Sequence, residues 1–389
     1  MSQFPVTLSA QDVVAEMPSL PTGFSSTVVK TANEDGDQGG LDLSLGLNLL
    51  YDSNVTQGSS GGLIEAESDW RLTPSVTASY LLGNQTFQLG ARANLEHNFF
   101  QNRDDFSATN YSLGAFGGYR SKKIVASFTS GFSSNAGINR FTGGFIEQFT
   151  YNTGLLASYR FSAKTSLLAT WDQQSTEAQT DGFGDISSVT TGLSAVWQAT
   201  PLLSIGPGFR YGIRTGIDDE EFTVFGPTMR LDYQLSTKIK LRSSIGIDDA
   251  DSPFTGGDTL LNWSAALNYR ASALWGFDLE MIRDTQASLA QGGGFDQITS
   301  YRLGYWRKIR KARAQLGISY QDREPTDSQP TIVGVRESTF WNVSASLTFP
   351  VFKDKADLAL NVLWSDQSSP DDNFNWDGLQ TGLGLQWSF

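Results

Sequence analysis

Apolar and polar residues alternate along the chain from Leu41 to the C-terminus. In the first segment the apolar set is Leu41, Leu43, Leu45, Leu47, Leu49 and Tyr51, and the polar or small set is Asp42, Ser44, Gly46 and Asn48. Successive side chains of a β-strand lie on opposite faces of the sheet, so this period of two predicts strands with one apolar face. The same arrangement recurs from Trp263, from Trp341 and from Leu358.

About eighteen such segments follow one another along the chain. They begin near residues 41, 70, 86, 110, 123, 148, 165, 188, 202, 222, 238, 260, 274, 297, 312, 338, 355 and 377. The segments are longer than the ~5 to 6 residues usual in soluble sheets, and aromatic residues stand at the ends of their apolar faces, as Trp341 and Phe349 do. Tilted strands of this kind are typical of membrane barrels. The sequence therefore predicts an all-β fold, a closed antiparallel transmembrane β-barrel of about 18 strands.

The connections alternate between short turns and long polar loops. Short turns are predicted near residues 83, 121, 163, 200, 236 and 309, and long loops at 52–68, 99–108, 133–146, 176–186, 214–221, 249–258, 285–296, 325–336 and 366–375. In outer-membrane barrels the short turns are periplasmic and the long loops extracellular. We therefore predict an integral protein of a Gram-negative-type outer membrane with both termini in the periplasm.

The last strand carries the most specific motif of the chain. Its apolar positions are Leu383, Leu385, Trp387 and Phe389, and the chain ends on that phenylalanine. This strand resembles the C-terminal signal that the barrel-assembly machinery of the outer membrane reads. The predicted partners are therefore this machinery and the lipid and lipopolysaccharide around the barrel.

Residues 1–39 lack the alternation of the rest, and residues 40–389 form the predicted barrel. Prolines at 5, 18 and 21 precede an acidic, glycine-rich stretch at 34–40, which predicts an extended or partly disordered periplasmic segment. Two interpretations stay open: a leftover leader without a role, or a segment that docks on a periplasmic partner.

Composition excludes several classes of protein. No run of about 18 apolar residues, the length that a membrane helix needs, occurs in the chain. The net charge of −13 argues against nucleic acid as a partner. The chain has no cysteine and a single histidine, His97, on the outward parity of its strand. We predict no enzymatic activity, no cofactor, and no catalytic or metal-binding residues.

Charge is divided between the two ends of the predicted barrel and its lumen. Lysine and arginine cluster at the short turns, whereas acidic residues, among them Asp104, Asp105, Asp248 and Asp371, are assigned to the long loops. Inside, the polar parity places arginines on four consecutive strands and again two strands further on, with three carboxylates near them. These pore-lining candidates are Arg210, Arg230, Arg242, Arg270, Arg302, Asp232, Asp278 and Glu280. Such residues either guide polar solutes or neutralise one another and hold the wall rigid.

The inward glycines, such as Gly90 and Gly192, favour an open lumen over a packed one, although an inserted loop would still plug it.

Strand count, loop rhythm and the closing strand Leu383 to Phe389 resemble the β-barrel porin-2 family over residues 41 to 389. This resemblance implies the outer-membrane component of a polysaccharide export system, and it transfers no functional residue. Two other hypotheses stand beside it: a general or solute-selective diffusion porin, and a non-conducting structural barrel that anchors an envelope complex. Only a few aromatic residues, such as Phe116 and Trp306, fall on the inner parity, which argues against a lumen dedicated to sugars.

Overall fold

The structure, a computed structural model, describes residues 38–59, 64–84, 86–139, 144–180, 184–216, 221–251, 258–287, 295–326, 337–353 and 355–389. These residues form eighteen strands: β1 Gln38–Asp52, β2 Asp69–Gly83, β3 Phe87–Phe100, β4 Ala108–Arg120, β5 Ile124–Ile138, β6 Phe145–Arg160, β7 Thr165–Ala178, β8 Ile186–Gln198, β9 Leu203–Thr215, β10 Glu221–Tyr233, β11 Ile239–Asp251, β12 Asp258–Ser272, β13 Trp275–Ala287, β14 Phe295–Ile309, β15 Ala312–Pro325, β16 Ser338–Val351, β17 Ala356–Ser368 and β18 Trp376–Ser388. Two 3-10 turns, Asp104–Phe106 and Asp372–Phe374, lie in the loops. The N-terminal segment 1–39 lies, up to residue 37, outside the described residues.

Each strand pairs antiparallel with its neighbour in the chain, and β18 pairs with β1. The sheet is therefore closed, and each of the eighteen described strands has a paired strand on both sides. This confirms the predicted closed antiparallel barrel of eighteen strands, and every strand begins within three residues of its predicted start.

Connection lengths follow the predicted alternation. At the end that holds the termini the turns are short, for example residues 121–123 and 310–311, whereas the opposite end carries longer loops such as 101–107 and 369–375. We call these the short-turn end and the long-loop end. Gly83 has a φ of 132°, and a Cβ there would lie 2.1 Å from the carbonyl oxygen of Phe87. Glycine is thus required in this turn.

The outer face of the barrel is apolar. In β1, Leu45 is 44% exposed on the outside whereas Leu50, on the inner parity, is 7% exposed. Outward aromatic rings lie near both ends of the strands: Tyr320 and Trp341 are 4.7 Å apart toward the long loops, and Tyr269 and Phe277 are 5.1 Å apart toward the short turns. An apolar exterior between two aromatic girdles is the exterior of a transmembrane barrel.

In the part of the chain that the structure describes, no helix is long and apolar enough to cross a membrane.

The strands continue further toward the long loops than the sequence predicts. Strand β11 runs to Asp251, and Asp248, which we assigned to a loop, lies inside this strand and is 1% exposed. Its Cα is paired with that of Leu260 on β12. That assignment is therefore wrong. The physical reason is that backbone hydrogen bonds hold an antiparallel ladder whatever the side chains are, so acidic residues do not end a strand.

Candidate functional site

The inner wall of the barrel is divided into a neutral part and a charged part. On β5, β6 and β8 the inward side chains are mainly small or carry hydroxyl and amide groups, among them Ser127, Thr129, Ser133, Asn135, Gln148, Thr150, Asn152, Ser188, Thr190 and Ser194. The inward charged residues concentrate on β9 to β15. The inner faces of β5, β6 and β8 are therefore polar and uncharged apart from Arg160 at the short-turn end, whereas charged side chains line β9 to β15 and, in smaller number, β1 to β3 and β7.

Charges of opposite sign stand in direct cross-strand register on the charged wall. Asp232 on β10 pairs with Arg242 on β11, and Glu280 on β13 pairs with Arg302 on β14. The Nε of Arg230 donates to Oδ2 of Asp232 at 2.8 Å, and Nη1 of Arg302 donates to Oε2 of Glu280 at 3.5 Å. These side chains are only partly buried, and Arg302 is 41% exposed. Five of the predicted pore-lining residues thus lie together and face the lumen.

Two more of the predicted residues lie closer to the short turns. The Nε of Arg270 donates to the side-chain oxygen of Asn268 at 3.3 Å, and its guanidinium carbon lies 5.8 Å from the ring centre of Trp306. The amide nitrogen of Asn268 donates in turn to Asp278. Asn268 therefore bridges Arg270 and Asp278, and the guanidinium of Arg270 lies over the face of the Trp306 ring.

Arg210 does not lie level with the other predicted arginines. Gly206 on β9 is the residue opposite Arg230, so Arg210 stands four residues further toward the long loops, about 13 Å along the strand. There its Nη2 donates to Asp248 on β11 and, at 2.9 Å, to Oδ1 of Asp284 on β13. The arginines predicted on four consecutive strands therefore do not form a single row, and Arg210 belongs to a second group.

This second group contains residues that the sequence analysis did not select. Arg214 on β9 donates through Nη2 to both carboxylate oxygens of Asp284, at 3.1 and 3.2 Å. Arg214 is 3% exposed and Asp248 1% exposed. Two cations and two anions are thus linked in one group, in which Arg214 and Asp248 are buried and Arg210 and Asp284 are partly exposed. Buried charges of this kind are tolerated because each has a hydrogen-bonded partner of opposite sign.

Apolar side chains pack beside these ion pairs. Phe222 and Val224 on β10, Ala250 on β11 and Phe295 on β14 form one buried cluster, each at most 1% exposed. The rings of Phe222 and Phe295 lie 4.6 Å apart. We call the two groups together the mouth cluster: Arg210, Arg214, Phe222, Val224, Asp248, Ala250, Asp284 and Phe295.

The mouth cluster brings distant strands together across the lumen. Strands β9 and β13 are four places apart, about 19 Å along the sheet, yet Cα atoms of β13 come within 8 Å of β8 and of β9. The long-loop end of the β13–β14 hairpin therefore lies against the wall made by β8 to β11. In the part of the chain that the structure describes, this hairpin end narrows the lumen at the long-loop end, and an open lumen stays a prediction.

The sequence does carry a signal for part of this cluster. Phe222 and Val224 are large apolar residues on the inner, polar parity of β10, and an apolar residue on a lumen-facing position requires a partner that shields it from water. The partner itself is not readable, because it comes from a strand four places away.

Other predicted residues lie as follows. His97 faces outward and its Nδ1 is 2.7 Å from Oγ1 of Thr109. Phe116 faces the lumen with its ring directly over Gly90, where a Cβ would lie 2.1 Å from the ring. On β18, Leu383 and Leu385 pair with Leu49 and Leu47 of β1, and the backbone N–H of Phe389 donates to Leu43 at 3.0 Å. Whether Leu383, Leu385, Trp387 and Phe389 act as an assembly signal stays a prediction.

Arg103 organises the loop between β3 and β4. Its guanidinium donates to Asp105 at 2.9 and 3.0 Å and to Glu67 at 2.9 Å, and it lies 3.9 Å from the ring centre of Phe106. The hydrogen bonds from Arg103 hold the pKa of the Asp105 carboxyl below its ordinary value of 3.8. A folded, charged loop thus lies at the long-loop end.

No family model matches this chain, and no curated protein sequence matches it. Solved structures with a similar backbone fold include the FrpB iron transporter from Neisseria meningitidis, at 12% identity and a TM-score of 0.47 over 91% of this chain and 81% of that one. OccK5 (OpdH) from Pseudomonas aeruginosa has 12% identity and a TM-score of 0.45 over 90% and 98% of the two chains. OpdL from the same organism has 13% identity and a TM-score of 0.43 over 90% and 99%. Identities and scores this low assign neither a family nor a substrate to this chain.

Proposed function

We propose that this protein is an integral outer-membrane channel for small polar solutes, with a charged inner wall and a mouth narrowed by the mouth cluster. The observation that carries this proposal is the alternation of Asp232, Arg242, Glu280 and Arg302 in partly exposed positions on the lumen side. Charged groups in a lumen replace part of the hydration of a polar solute and so lower the barrier to its passage.

The proposed orientation places the long loops outside the cell and the short turns and both termini in the periplasm. It is supported by the difference in connection length between the two ends. Labelling of a cysteine placed in the 101–107 loop by a membrane-impermeant reagent on intact cells tests it, with a cysteine in the 310–311 turn as the control. Labelling of the turn cysteine without labelling of the loop cysteine would show the opposite orientation.

The channel proposal is tested by reconstituting the purified full chain in planar lipid bilayers. We expect stepwise, stable increases of ionic conductance, and swelling of liposomes in small sugars or amino acids. Heat-modifiable migration on gels shows whether each preparation is folded. Folded protein that gives no conductance steps would contradict the channel proposal and favour the structural barrel.

Polysaccharide export, which the family resemblance implies, stays a second hypothesis. Sugar rings stack on aromatic faces, and the inward aromatic groups of the described strands away from the mouth include Phe116 and Trp306. Block of the conductance by long oligosaccharides, but not by monosaccharides, would favour export over diffusion of small solutes.

A further inference from the structure

The outer face of the barrel carries an apolar groove of about 760 Å³, lined by residues from Phe87 on β3 to Phe225 on β10. Its walls are formed by large outward side chains, which include Tyr119, Phe128, Leu155, Trp171, Leu193 and Phe209. Most of a barrel exterior is convex, so a groove of this size provides a place where a lipid acyl chain is enclosed on several sides.

The groove arises from the register of three strands. Phe128, Leu155 and Trp171 are direct cross-strand neighbours and form one ridge. Two residues nearer the short turns, Ala126, Ala157 and Ala169 are also direct neighbours and form the floor. The next row toward the short turns, Ile124, Tyr159 and Leu167, again carries larger outward side chains. The ring of Phe128 lies over Gly117, where a Cβ would be 2.3 Å from it, so this ring leans away from the floor and leaves it open.

A basic rim borders the groove at the short-turn end. It consists of Lys122 and Lys123 in the turn between β4 and β5 and Lys164 in the turn between β6 and β7, all of them exposed, whereas Arg120 and Arg160 beside them lie on the inner parity of their strands. The backbone N–H of Arg160 donates to the carbonyl oxygen of Lys123 at 2.8 Å, so the two turns lie side by side. Residues 119–124 and 158–165 contain no acidic residue. Ala126 is three residues from Lys123, about 10 Å along the strand.

From this combination we infer that the groove and its basic rim bind an anionic phospholipid of the leaflet at the short-turn end. The acyl chains lie along the alanine floor beside the ridge of Phe128, Leu155 and Trp171, where they replace looser contacts with bulk lipid, and the headgroup phosphate meets the lysine side chains. The positive charge of the rim selects a phospholipid with net negative charge over a zwitterionic one. A second copy of this barrel fits less well, because its convex apolar wall does not enter a groove whose floor is one residue row wide.

The inference rests on the proposed membrane location, but its test is independent of conductance. The full chain is purified in a delipidating detergent, mixed with phosphatidylglycerol or phosphatidylcholine, and analysed by native mass spectrometry for bound lipid. Two variants remove the two halves of the site: Ala157→Trp fills the floor, and Lys122→Gln with Lys123→Gln and Lys164→Gln neutralises the rim. Matched controls are Ala265→Trp, on an outward position of β12, and Lys308→Gln with Lys353→Gln and Lys355→Gln, at other short turns.

We expect the wild type and both controls to retain phosphatidylglycerol in preference to phosphatidylcholine, and each site variant to bind it about tenfold more weakly, which corresponds to ~1.4 kcal/mol. Equal retention by the wild type and Ala157→Trp would overturn the inference. So would equal binding of the two lipids, or equal loss in the control variants. Appearance of a dimer that Ala157→Trp abolishes would assign the groove to a second copy instead.

Discussion

Phe222 on β10 stacks on Phe295 at the start of β14, with the ring centres 4.6 Å apart. Four strand spacings separate these residues along the sheet, about 19 Å, and both are at most 1% exposed. A contact over this distance requires the end of the β13–β14 hairpin to leave the circular course of the wall. The stacked pair therefore holds the mouth in its narrowed form, together with the ion pairs beside it.

We expect Phe222→Ala to lower the free energy of unfolding by about 3 kcal/mol, because a large buried ring is lost and the gap fills only in part. Urea titration in detergent, followed by tryptophan fluorescence, measures this. The double variant with Phe295→Ala should cost clearly less than the two single costs added, since both remove the same contact. Additive costs would mean that the two rings do not stabilise each other.

Asp284 neutralises two arginines, Arg210 and Arg214, in the mouth cluster. Replacing it by Asn leaves Arg214 buried without a carboxylate, a cost of about 2 to 3 kcal/mol for a partly buried pair. We expect the hairpin end to detach and the single-channel conductance in planar bilayers to rise. Asp172→Asn, which removes an inward carboxylate on β7, is the control and should leave conductance near the wild-type value. Unchanged conductance in Asp284→Asn would show that the mouth cluster does not limit passage.

The pair Glu280 and Arg302 is expected to act on ion selectivity and hardly on stability. Both side chains are partly exposed, so each single replacement should change the free energy of unfolding by less than about 1 kcal/mol. Arg302→Gln should shift the reversal potential in a salt gradient toward cation preference, and Glu280→Gln toward anion preference. The exchange Glu280→Arg with Arg302→Glu restores the local charge and should return the potential toward that of the wild type. Identical potentials in all four proteins would remove this pair from the conduction pathway.

Phe389 is 66% exposed, so burial cannot explain an effect of its side chain. We expect Phe389→Ala to refold from urea into detergent micelles as the wild type does, with a change in stability below about 1 kcal/mol. In cells the same variant should accumulate less in the outer membrane, whereas Phe389→Trp should accumulate normally. Normal accumulation of Phe389→Ala would contradict a role of this residue in assembly.

Arg103 lowers the pKa of Asp105 below 3.8. A carboxyl with a lowered pKa in the folded protein contributes stability above its unfolded pKa, and this contribution is lost as the pH falls through the folded value. We therefore expect the protection of the amide groups of residues 102–107 against exchange, relative to the intrinsic exchange rate at the same pH, to fall below about pH 4, where an aspartate begins to protonate. Arg103→Gln should return the pKa of Asp105 toward 3.8 in an NMR titration and remove the pH dependence of this protection. Asp104→Asn is the control for loop charge.

The sequence by itself determined the barrel. Strand positions, their number, the alternation of connections and the apolar outer face follow from a period of two and from turn composition, both of which are local properties of the chain. Leu45 faces outward and Arg242 inward because side chains alternate along any strand. The inward direction of all eight pore-lining candidates was readable for the same reason, whereas the separate position of Arg210 was not.

Only the tertiary structure determines which residues the inner and outer faces of the strands contact. Arg210 and Asp284 are 74 residues apart in the chain, and no local pattern indicates that the β13–β14 hairpin end turns toward β9. The polar composition of residues 285–296 predicts a loop, whereas backbone pairing extends the strands into this region and carries Phe295 to Phe222. The lipid groove likewise requires Ala126, Ala157 and Ala169 to fall in one row, and cross-strand register is set by the lengths of turns and by closure of the whole sheet.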